Sequence, residues 1–211
     1  MSVFGNIKAL GKRGYDVNVA NGFWEGERNI GEMIALIQSE LSEAFIALDT
    51  SAMDDKLPQF PGQITELADV VIRLADYSEG FGKQIFDYLD TLIEYNKVKW
   101  QDLMSCLATD DLNIELAGEW YEYYLYMNAA CSMVLEVSRK PEKFQPINGV
   151  PADVHYLAVC AWLVCMYIYD NCDYEGMSDD EATNAIDYLT FVMKCKIDYN
   201  ATRGYKHGKK F

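Results

Sequence analysis

Hydrophobic positions recur along most of this chain at the three- and four-residue spacing of helices that bury one face. From Asn29 onward, Met33, Leu36, Ile37, Leu41, Ala44, Phe45 and Leu48 form such a stripe and predict a first helix through Asp49. Asn29 is its candidate N-cap, with Glu32 three residues on. Pro58, Pro61 and Gly62 read residues 49–63 as a loop. A second helix is expected over 65–79, closed by Gly80 and Gly82, and a third over 83–100. Residues 1–28 carry Gly5, Gly11, Gly14, Gly22 and Gly26 and read as irregular.

The second half repeats this order. A long helix is expected over 112–139, after a connection at 101–111. A loop with Pro141, Pro146, Gly149 and Pro151 follows, then an apolar helix over 153–171, an acidic turn at 176–180 and a last helix over 180–200. The third helix of each half ends alike, Glu94-Tyr95-Asn96 and Asp198-Tyr199-Asn200. No segment keeps a strand's alternation. The expected fold is an all-α helical bundle of two three-helix units, 1–100 and 101–211, packed as an internal pseudo-dimer.

Four acidic residues break the apolar faces. Glu40 and Glu43 are three apart on the first helix, and Glu40 falls within its apolar stripe. The second helix is apolar around most of its circumference, but Glu66, Asp69, Arg73 and Asp76 form one narrow polar line. A charge on a core-facing stripe is costly unless it is paired or bound to a cation. Four oxygen ligands without His or Cys suit a hard cation, Mg2+ with Mn2+ as substitute. The plainer alternative is a solvated acidic face, ion-paired to Arg73 or to lysines.

Composition narrows the classes. The net charge of -15 excludes the overall basic character of a general nucleic-acid binder. The six cysteines include no C-x-x-C pair, and there are two histidines, which disfavours zinc. The thiols read as buried and reduced. The N-terminal residues lack the apolar core of a signal peptide, and the apolar run at 156–168 is short for a bilayer span. A cytoplasmic location without a membrane partner is expected.

The tail is a local exception in charge. Arg203, Lys206, His207, Lys209 and Lys210 close the chain without an acid. They can face phosphates, or they can form a solvated terminus. Asn200 can bond a base or sugar. Trp24 can stack on a base or cap the bundle end. Arg28 can reach a phosphate or pair with Glu25 or Glu32. Asn96, Lys97 and Lys99 end the third helix, where cations also suit the helix dipole. The acidic run at 170–187 reads as a solvated turn and helix start, and the tyrosines at 121–126 as core or interface.

The segment Gly22–Asn96, with Glu40-Leu41-Ser42-Glu43 and Glu66-Leu67-Ala68-Asp69, resembles the MazG-like nucleotide pyrophosphohydrolases of the all-α NTP pyrophosphatase superfamily, which includes the dimeric dUTPases. The C-terminal Tyr199-Asn200-x-x-Arg203 stretch and His207-Gly208-Lys209 are similar to that family's closing segment. The resemblance implies hydrolysis of an NTP or dNTP to monophosphate and pyrophosphate, with two or more Mg2+ ions at Glu40, Glu43, Glu66 and Asp69. It also implies substrate contacts for Asn96, Lys97, Asn200, Arg203, Lys206 and Lys209, and leaves room for a homodimer. In the second half, Glu136 and Arg139 stand near the first pair's loop position, and the next helix has no E-x-x-D, so one site per chain is expected. A narrow dUTPase- or dCTPase-like enzyme and a catalytically weak nucleotide sensor or scaffold are the alternatives.

Overall fold

The computed structural model describes residues 2–117, 119–171 and 181–204, and the side chains of 181–184 lie outside that description. The described residues are helical or irregular, with isolated bridges at Met53–Pro61 and Ile147–Val150 in place of any strand. The all-α class read from the sequence holds.

The chain divides into two compact units. One comprises Asn6–Lys83 and Leu189–Phe211, the other Met1–Gly5 and Gln84–Tyr188. A cut near residue 100 therefore does not describe them. The helix Ile85–Asn96 falls with the later helices because it packs on one of them, and the end of the last helix falls with the first three.

The first unit is built from α1 (Gly5–Ala20), α2 (Ile30–Thr50), α3 (Gly62–Gly80) and the later part of the last helix. Helix α1 corrects the irregular reading of residues 1–28. Its glycines serve close approach: a Cβ on Gly11 would lie 2.4 Å from Ala75 Cβ, and one on Gly14 would touch Ile72 and Ile197. Helix α2 begins as its sequence indicates, with Asn29 Oδ1 accepting the Glu32 N–H at 2.7 Å. Met33, Ile34, Ile37, Leu41 and Ala44 are fully buried on one side of it. Burial of each such Ile or Leu contributes about 1.5–3 kcal/mol. Helix α3 is buried along Ile64, Leu67, Ala68, Val70, Val71 and Leu74. The loop between them closes tightly, with the Gly62 N–H on the Ala52 carbonyl at 2.8 Å.

The second unit contains α4 (Ile85–Asn96), α5 (Met104–Leu107), α6 (Trp120–Arg139), α7 (Ala152–Asn171) and the start of α8 (Glu181–Ala201). Helix α6 begins eight residues later than its apolar pattern alone indicates. Glu119 and Glu122 form a capping box that fixes the start. The apolar run at 156–168 extends into the 20-residue helix α7, long and apolar enough to cross a membrane by length and composition. Nearly all of that helix is buried against protein, as in the core helix of a bundle.

Candidate carboxylate site

Helices α2 and α3 pack as an antiparallel pair. Ala47 lies beside Gly62, whereas the earlier Glu40 pairs with the later Arg73. This direction brings the two acidic pairs together. Glu40, Glu43 and Glu66 each offer a carboxylate oxygen, and these three atoms lie within 4.8 Å of one another. Glu40 is buried, Glu66 half-buried and Glu43 exposed. Asp69 lines the same cleft but faces a different partner: its Oδ2 accepts from Lys196 Nζ at 2.7 Å.

Electrostatics follow from this crowding. Burial, with help from Asp69, Glu40 and Glu43 and against Lys196, pushes the Glu66 carboxyl up to about 7. Burial and the Asp69 charge also raise Glu40, against the pull of Arg73. Arg73 donates from both Nε and Nη2 to Glu40 Oε1, each at 3.1 Å. Burial works against the Lys196 ammonium, but Asp69, Glu66 and Asp54 outweigh it and hold its pKa above the ordinary lysine range. The group thus has more negative than positive charge in a partly desolvated place.

Lys196 and Asp54 escaped the sequence reading. Lys196, on α8, is 4% exposed and reaches Asp54 Oδ2 at 3.6 Å as well as Asp69. Asp54 accepts the N–H groups of Lys56 at 2.9 Å and Leu57 at 2.6 Å, and the Thr65 hydroxyl at 3.0 Å. A signal for Lys196 exists: with Leu189, Val192 and Met193 it continues an apolar stripe, the pattern that marks Glu40. Asp54 has no such signal, since nothing in the sequence separates it from Asp55.

The carboxylates line a cleft of about 450 Å³, within the usual size of small-molecule sites. Arg28, Lys56, Arg73, Lys196 and Arg203 bring positive charge to its wall, and Phe23 and Tyr199 bring aromatic rings. Asn200 also lines the cleft, beside Arg203. Arg203 lies over the Tyr199 ring at 5.9 Å and points Nη1 at Asn200 Oδ1 at 3.4 Å. Arg28 pairs with Glu32.

Other candidates are placed differently. Trp24 does not line the cleft. Its Nε1 donates to Asp76 Oδ1 at 2.9 Å, and its ring packs edge-on against Tyr15 and Phe81. Gly80 makes room for it, because a Cβ there would sit 1.8 Å from the indole. This is the bundle-cap alternative; the aromatic at the cleft is its neighbour Phe23. Asn96 and Lys97 belong to the other unit and do not line the cleft. Asn96 bonds back to the Leu92 carbonyl, and Lys97 caps α4 in the left-handed conformation at φ 53°. Lys206, His207, Lys209 and Lys210 lie outside the described residues.

Compared with known proteins, the chain matches no family model, no curated protein and no solved structure.

Proposed function

We propose that this cleft hydrolyses a nucleoside triphosphate to its monophosphate and pyrophosphate with Mg2+, as the resemblance to MazG-like pyrophosphohydrolases implies. The observation that carries the reading is the convergence of Glu40, Glu43 and Glu66 within 4.8 Å on the wall of a cleft that also carries cations.

The residues fit a hard divalent cation. The donors are all carboxylate oxygens, and Glu66 and Glu40 are raised chiefly by burial, with the neighbouring carboxylates adding to it. Glu40, Glu43 and Glu66 would hold the ion, with Asp69 beside them. Bound there, Mg2+ supplies positive charge against phosphate oxygens and makes water more acidic.

The chain's own groups do the rest. Arg203 and Lys56 neutralise phosphate oxygens from the cleft wall. Arg73 fixes the orientation of Glu40 through its two N–H bonds. Phe23 and Tyr199 give the base flat apolar faces, and Asn18 and Asn200 give it hydrogen-bonding groups. Water adds through its oxygen to phosphorus, the phosphoanhydride bond breaks towards pyrophosphate, and the water's proton passes to a carboxylate and then to solvent. Glu43, exposed to the cleft and accepting from Ser39 Oγ at 3.3 Å, is the carboxylate best placed to take it.

The test is pyrophosphate release from a panel of NTPs and dNTPs with Mg2+, which also reads the preferred base and sugar. Glu43→Gln keeps the fold, because the side chain is exposed, and is expected to lower turnover by about 100-fold or more. Unchanged turnover in that variant removes the assignment.

A further inference from the structure

Lys196 is an unusual neighbour for a cation site. Its ammonium is 2.7 Å from Asp69 Oδ2, one of the four carboxylates expected to bind metal. It is nearly buried, and its position is fixed from behind. Asp54, 4% exposed, holds it at 3.6 Å, and Asp54 is itself pinned by two backbone N–H groups and the Thr65 hydroxyl. Moving Lys196 away would leave a buried carboxylate without its counter-ion, which is strongly destabilising.

We infer that Lys196 is the site's built-in counter-ion, keeping Asp69 out of the metal-ligand set so that the nucleotide-free cleft takes one divalent ion per chain. This rests on the pyrophosphohydrolase reading and departs from the two or more ions which the family resemblance implies.

Charge and geometry agree. Three carboxylates, those of Glu40, Glu43 and Glu66, present oxygens close enough to share an ion, and Asp69 is not one of them. Lys196 and Arg73 each neutralise one member of the quartet. With Asp54, five carboxylates face these two cations, so net negative charge remains for a divalent ion to balance. A second ion would have to displace a buried ammonium or add excess positive charge to a partly desolvated place. Lys196 therefore acts on the metal through Asp69, as a positioning residue.

The experiment counts Mn2+ bound to the full chain without nucleotide, by electron paramagnetic resonance of free and bound ion. The native chain is expected to bind one ion, and Lys196→Arg, which keeps the charge, one ion. Lys196→Met frees Asp69 and is expected to bind two. Should Lys196→Met fail to fold, Lys196→Met with Asp54→Asn removes the stranded buried charge and carries the same expectation. Should neither fold, one ion on the native chain and on Lys196→Arg supports the inference. Two ions on the native chain overturn it, as does one ion on a folded Lys196→Met or double variant. No bound Mn2+ on the native chain overturns the metal reading itself, and the inference with it.

Discussion

Two helical hairpins of this chain, each with a proline-containing loop, treat buried polar groups in opposite ways. In α2–α3, Glu40, Glu66 and Asp69 crowd together, with Lys196 and Arg73 balancing only part of their charge. In α6–α7, His155, Trp162 and Tyr123 each have a partner that completes them. His155, fully buried on α7, has Nδ1 at 2.9 Å from the Tyr88 hydroxyl and Nε2 at 3.0 Å from the Leu107 carbonyl. Trp162 Nε1 donates to the Trp100 carbonyl at 2.8 Å, and Tyr123 donates to Asp170. Glu136 is paired at the surface with Arg139 and Lys140. A buried polar group whose partners complete it holds a fold together, whereas one left with unbalanced charge asks for a ligand.

The largest effect that would break this contrast is on turnover. Glu66→Gln is expected to lower pyrophosphate release by about 100-fold or more, and Glu136→Gln to leave it unchanged. Equal loss in both variants would end the distinction between the hairpins. Next comes stability. His155→Leu leaves the Leu107 carbonyl without its ring partner and the Tyr88 hydroxyl with Asn148 alone, and should cost about 1–3 kcal/mol in denaturant melts. Turnover per folded molecule should stay as it was. A smaller effect concerns the base. Phe23→Ala should raise KM about 5- to 10-fold at constant fold, on the order of 1 kcal/mol of lost stacking. An unchanged KM across the panel would move the base elsewhere.

The smallest effect is on pH dependence, and its sign follows from Glu66. Its carboxyl titrates near 7 when folded against an ordinary 4.5, chiefly because it is buried. Without metal its contribution to stability is present below about 4.5 and is lost as pH rises through 7. A metal needs the ionised form, so Mn2+ binding should tighten over the same window. Thermal melts with and without Mn2+ between pH 5 and 8 should therefore diverge as pH rises. A constant gap would place the proton on another group.

The sequence made the carboxylates legible because Glu40 and the line from Glu66 to Asp76 interrupt otherwise apolar helix faces. It made α2 legible through Asn29, whose cap is local. Helix α1 was hidden because Gly11 and Gly14 look like breakers, while their effect is tertiary: they admit α3 and α8 at short range. Trp24 and Phe23 could not be told apart, since adjacent aromatics share every local cue and only packing against Gly80 separates them. The unit boundaries were hidden for the same reason. That α4 packs on α7 is a long-range fact with no marker in either helix alone.

The central claim is the reaction, and phosphorus NMR of the products tests it most directly. The full chain with Mg2+ and the best nucleotide of the panel should yield nucleoside monophosphate and pyrophosphate, and Glu43→Gln should yield neither on the same timescale. Nucleoside diphosphate with orthophosphate, or no turnover of any nucleotide, would contradict the account.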